Sequence, residues 1–241
     1  MTSGVIRDAG APEQQLRVVS TGRPAWWVMV SALVIGALVT ADILSRGWLE
    51  RMDLRVSDVI SGWGLRDSAA FPFVWVVTQL GGRVAILAVL AVLVGYLAWR
   101  RHTWLPLARV LVALGLLTVV VYAIKHGTGR TAPGYPGEFF FHADGESFPS
   151  GHVANAVLMW GIARWQAVEY GLAAPVQRVF WLLAVVGPVV TGLAMVSLDF
   201  HWVTDAVVGA CVGVVLLGVV HALDAIVLSR WVRARAGRQT A

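Results

Sequence analysis

Long apolar runs constrain this chain more than any other feature. The stretches Ala25–Leu44, Val84–Trp99, Leu105–Ile124, Ser150–Trp165, Val176–Val196 and Trp202–Leu228 each approach the ~20 helical residues that cross a hydrocarbon core. Backbone polar groups in lipid must be satisfied within their own segment, so runs of this length imply helices. Composition agrees: 58% of the residues are hydrophobic and 14% are charged, whereas soluble domains average roughly 45–50% apolar and about 25% charged. A soluble globular domain and a disordered chain are both excluded. The single cysteine, Cys211, lies within an apolar run, which removes an internal disulfide and a cysteine-based metal site.

The six runs predict an all-α, polytopic membrane protein with a six-helix bundle over residues 25–228. Residues 1–24 are a polar N-terminal tail and 229–241 a basic C-terminal tail. No secretory signal is recognisable before the first run. Between the first two spans, Arg46–Asp67 mixes Leu49, Met52, Val56, Ile60 and Trp63 with Glu50, Arg51, Asp53, Arg55 and Asp58. That mixture predicts an amphipathic segment lying along the membrane surface. The apolar stretch Phe71–Trp99 is broken at Gly81-Gly82-Arg83, so only its second half is expected to span. With the N-terminus in the cytoplasm, the inner segments collect most of the 19 basic residues, including Arg100, Arg101, Arg109, Arg164 and Arg178, as the positive-inside rule requires. The net charge of +5 is thus a topology signal, and nucleic-acid binding is not expected. The 12 tryptophans read mostly as interfacial belt residues.

Charged and imidazole side chains near membrane depth are costly, by ~2.5–3.5 kcal/mol at a helix centre, and here they gather in three short segments. These are Lys125-His126-Gly127-Thr128-Gly129-Arg130-Thr131-Ala132-Pro133, Phe148-Pro149-Ser150-Gly151-His152, and Asp199-Phe200-His201-Trp202-Val203-Thr204-Asp205. Strict alternation of span direction places all three at one outer face, with residues 125–149 as the loop over it. Pro149-Ser150-Gly151-His152 has the composition of a helix N-terminus, where free N–H groups and the helix dipole favour an anion. Ser150 is suited to capping or to a phosphate oxygen, and Gly151 allows close backbone approach. His201 and Asp205 stand four apart on one helix face. A carboxylate holding one imidazole nitrogen leaves the other as a nucleophile or base. Lys125 is a point charge suited to phosphate. Each element alone has a commoner structural role; their joint occurrence on one face points to a site. His126 and His142 read as loop residues, with His102 and His221 away from that face.

These segments resemble the PAP2 superfamily of membrane phosphatases, over roughly residues 25–228. The match lies in the complete Pro-Ser-Gly-His at 149–152, the His and Asp of a third motif at His201 and Asp205, and Lys125 and Pro133 of a first motif. The resemblance implies a lipid phosphatase. His201 would attack phosphorus to form a phosphohistidine, oriented by Asp205, and His152 would protonate the leaving alkoxide and then activate water. Lys125, Ser150 and Gly151 would hold the phosphoryl oxygens. No metal or other cofactor is implied. The expected substrate is a lipid phosphomonoester or pyrophosphate at the outer leaflet of the cell membrane. The chain departs from the pattern where two arginines should grip the phosphate. Ala132 stands in the first motif, and Ala194 and Met195 open the third in place of Ser-Arg. Arg130, two residues before Ala132, is the expected replacement, while Asp199 sits where an acid would repel a phosphate. A remodelled anion clamp keeps two alternatives open: a phosphotransferase acting on lipids, and a non-catalytic lipid-binding or transport protein.

Overall fold

The computed structural model describes residues 24–135, 140–142 and 145–228. Its regular structure among these residues is entirely helical: α1 (Trp26–Leu44), α2 (Trp48–Ser61), α3 (Phe71–Thr78), α4 (Arg83–Arg101), α5 (Leu105–Thr128), α6 (Gly151–Glu169), α7 (Ala174–Ser197) and α8 (Val203–Leu223), with a π turn over Asp224–Leu228. Every apolar run forms its own helix. Five of them, α1, α4, α5, α7 and α8, are long and apolar enough to cross a membrane. The sixth, α6, is 19 residues long and less apolar because it is the inner post of the bundle. It packs against α4, α5, α7 and α8 and meets little lipid. The calls on residues 1–23 and 229–241 lie outside the described residues.

The polar break at Gly81-Gly82-Arg83 separates α3 from α4, so the stretch from Phe71 forms two helices. α2 is amphipathic, as expected, yet it does not only skim the surface: it packs on α8 and α7 and buries Asp53 together with Ile60. Hydropathy assigns an aspartate to the wet face; here the tertiary fold supplies it with a cation instead.

Two glycines let α8 lie directly on α6. A Cβ at Gly213 would sit 2.6 Å from Val157 Cβ and 2.9 Å from the Ala154 carbonyl oxygen, and one at Gly209 would sit 2.5 Å from the Ser150 carbonyl oxygen. Small residues four apart allow this close helix approach in lipid, where packing replaces the hydrophobic effect as the driving force. The contact sets the start of α6 against the first turns of α8. At the opposite end, buried Arg109 of α5 donates to Asp224 at 2.9 Å and to Glu169 at 2.9 Å, with its guanidinium 4.1 Å over the Trp165 ring. This ties α5, α6 and the end of α8 together.

The tryptophans divide. Trp26, Trp27, Trp48, Trp63, Trp75, Trp99, Trp104 and Trp181 are exposed, whereas Trp160, Trp165 and Trp202 are buried. Two of the buried three spend their indole N–H on backbone carbonyls: Trp160 on Leu80 and Trp202 on Thr131, both at 2.8 Å. Buried Trp needs such a partner, and each bond pins a connecting segment to the bundle.

Candidate active site

The N-terminus of α8 builds the first half of the site. Trp202 is its N-cap and Asp205 its third residue. The Asp205 carboxylate turns back to accept the Trp202 N–H at 3.1 Å, the return bond of a capping box, in a position the helix dipole also favours. The same oxygen lies 3.2 Å from His201 Nδ1 and accepts from the Ser147 hydroxyl. Ser147 Oγ in turn lies 3.3 Å from His201 Nδ1. With Nδ1 directed at the carboxylate, Nε2 is the ring nitrogen available to a substrate.

Asp205 is fully buried and is held on its other oxygen by Arg130 at 2.7 Å. Arg130 is itself 1% exposed and also donates to Thr204 Oγ1 at 2.7 Å and to Asp53 at 2.9 Å. Asp53 completes the network by accepting from the Thr204 backbone N–H at 3.2 Å and from its hydroxyl. Burial pushes the Asp53 carboxyl up from its ordinary range, against the opposing pull of Thr204 and Arg130. Trp202, Phe140 and Phe148 surround the guanidinium, with Trp202 centred 5.0 Å away. Arg130, the expected replacement for the missing arginine, points into the bundle with one terminal nitrogen on Asp205 and the other on Asp53, behind His201.

Asp199 also differs from expectation. It adopts a left-handed backbone conformation, φ 54°, and its carboxylate accepts from Ser57, at 3.1 Å, and Ser61 of α2. Arg66 donates to the Leu198 and Asp199 carbonyls and stacks 5.0 Å over Phe200. The acid is therefore spent on α2, close in sequence to His201 but engaged elsewhere. Glu138 and Asp144, also in the loop, lie outside the described residues.

The start of α6 supplies the second half. Ser150 is the N-cap, accepting the Val153 N–H at 3.5 Å, and is completely buried. Its own N–H donates to the Asp205 carbonyl at 2.9 Å, which fixes α6 against α8. Gly151 and His152 of the first turn line a cavity of about 190 Å³ together with Lys125 of α5, Asn155 of α6 and Arg83 of α4. Lys125 donates to the Glu146 carbonyl. The structure thus brings Lys125, Gly151 and His152 around one cavity, joins Ser150 to Asp205, and sets Arg130 on the far oxygen of Asp205, behind the His201–Asp205 pair. Met195 and Ala194 are buried.

Asp53, Ser147, Thr204 and Arg83 were not legible as site residues. Asp53 read as one charge of a surface-lying amphipathic segment, Arg83 as part of a break between apolar runs, and Thr204 as a neighbour of His201 and Asp205. The one available signal was the cost of so many charges so close to the membrane. His126, His142 and His102 take no part in the network. His221 is buried and stacks on Trp165 at 3.7 Å.

A family model described as the PAP2 superfamily matches residues 106–226. Phosphatidylglycerophosphatase B of Bacillus subtilis (strain 168) is 26% identical over 149 residues, 61% of this chain and 72% of that protein. The crystal structure of a transmembrane PAP2-type phosphatidylglycerolphosphate phosphatase from Bacillus subtilis superposes with a TM-score of 0.68 at 23% identity, covering 83% of this chain and 98% of the other.

Proposed function

Because the chain belongs to the PAP2 superfamily, we propose that it is a lipid phosphatase of the cell membrane, working on the extracytoplasmic face through a phosphohistidine on His201. The observation that carries this is the 3.2 Å contact of His201 Nδ1 with the buried carboxylate of Asp205, whose carbonyl takes the Ser150 N–H at the helix start that bears the second histidine, His152. Nε2 attacks phosphorus and the bond to the lipid alcohol breaks. His152 delivers its proton to the departing oxygen. A water then gives a proton to His152 and attacks phosphorus, the P–N bond breaks, and phosphate leaves with His201 restored. Lys125 and the backbone N–H groups at the start of α6 stabilise charge on the equatorial oxygens. Asp205 and Ser147 hold the imidazole in one tautomer.

The substrate class follows the relative: a lipid phosphomonoester such as phosphatidylglycerol phosphate is the first compound to assay. The outward orientation is supported by the basic residues of the inner segments, which favour a cytoplasmic side for both ends of the chain. Purified protein should release phosphate from such a lipid. His201→Ala should abolish the release, and His152→Ala should slow it by ~10²–10⁴-fold, the range of one general acid–base group. Turnover that survives His201→Ala unchanged sinks the proposal. A lipid-to-lipid transfer product formed without free phosphate would identify a transferase instead.

A further inference from the structure

Arg83 is the first residue of α4, and the turn before it is fastened to α6. Asn155 Nδ2 donates to the Gly81 carbonyl at 2.9 Å and Trp160 Nε1 to the Leu80 carbonyl at 2.8 Å. Gly81 lies flat on the neighbouring helices: a Cβ there would stand 2.5 Å from the His152 carbonyl oxygen and 2.5 Å from Thr191 Cγ2. The backbone that carries Arg83 therefore keeps a set position relative to His152. Arg83 lines the same cavity as Lys125 and His152, and among the described residues no hydrogen bond or ion pair occupies its guanidinium. A second observation points to a ligand. Asn155, 3% exposed, lines this cavity, and the bond to Gly81 fixes which end of its amide is which. Among the described residues its Oδ1 is buried with no hydrogen-bond partner, and buried acceptors are rarely left so.

We propose that the turn between α3 and α4 builds an anion subsite against His152, in which Arg83 binds a phosphoryl oxygen in place of the arginines that Ala132 and Met195 do not supply. A guanidinium gives the bidentate, charge-assisted grip that Lys125 alone cannot, and it comes from a helix on which the family's three motifs do not lie. The ligand class rests on the phosphatase assignment above.

The test uses the full chain in detergent or nanodiscs and two readouts: orthophosphate binding by calorimetry, and phosphate release from a lipid phosphomonoester. Arg83→Gln should weaken orthophosphate binding and raise KM, each by about tenfold, the scale of one hydrogen bond to a charged group. Arg83→Lys should recover part of both. Arg100→Gln, at the other end of α4, should match the wild type, and all variants should keep its Tm because Arg83 is exposed. Arg83→Gln that binds orthophosphate like the wild type, or a wild type that does not bind it, overturns the proposal. If His201→Ala abolishes turnover while Arg83→Gln leaves both readouts unchanged, the activity stands and the subsite falls. If the wild type binds orthophosphate through Arg83 and releases none from lipids, the subsite stands and the activity falls.

Discussion

Replacing Arg130 by methionine separates the two roles this arginine could have. The side chain is 1% exposed, with one guanidinium nitrogen 2.7 Å from Asp205 and the other 2.9 Å from Asp53. Arg130→Met keeps much of the apolar stem and removes the charge, leaving two buried carboxylates facing each other across Thr204. Removing one partner of a buried ion pair costs about 3–5 kcal/mol, and here one cation serves two acids, so the upper part of that range is expected. For a chain of 241 residues, with roughly 2–4 °C per kcal/mol, the upper part of that range lowers Tm by ~8–20 °C. Intrinsic fluorescence in detergent is a suitable readout, because Trp202 sits 5.0 Å from the guanidinium. Asp53→Leu should cost a similar amount alone and much less in the double variant with Arg130→Met, since the two changes remove opposite charges of one pair. Below its lowered Tm, Arg130→Met should keep a near-normal KM for lipid phosphate and lose kcat, because it supports Asp205 and through it His201. An unchanged Tm with a tenfold higher KM would refute the network and put the guanidinium on the substrate.

Three further outcomes are expected. Ser147→Ala removes the hydroxyl shared by Asp205 and His201; it should cost about 1–3 kcal/mol of stability as a buried acceptor loses a donor, and lower kcat more than it alters KM. Gly213→Ile drives a side chain into Val157 and the Ala154 carbonyl; thermal scans should show about 1–3 kcal/mol of destabilisation, the usual cost of overpacking, and an unaffected Tm would contradict the close α6–α8 contact. Arg109→Ala removes the guanidinium that Asp224 and Glu169 share at the far end of the bundle; Tm should fall, by less than for Arg130→Met because Glu169 is partly exposed, while KM stays at the wild-type value because no residue of the cavity is touched.

The six long helices, their approximate ends and the family resemblance were legible in local sequence, whereas α3 was not. Span-finding needs only local hydropathy, because lipid imposes one rule on every twenty-residue window. Ser150 as a cap and the spacing of His201 and Asp205 are likewise local, set within one helix turn. Where the charges go emerged only from the packing of the helices. Arg130 and Asp53 are 77 residues apart in the chain, and Arg130 and Asp205 are 75 apart; no periodicity signals such a partner. Asp199 looked hostile to phosphate from its place beside His201, and the serines of α2 took its carboxylate 142 and 138 residues away. Arg83 looked like a break between apolar runs, and Asn155 and Gly81 brought it to the cavity of His152. Near a membrane a charge must find its counterpart or a ligand, because water is scarce there. Which of the two it finds depends on helices packing together, and that is settled only once the bundle has formed.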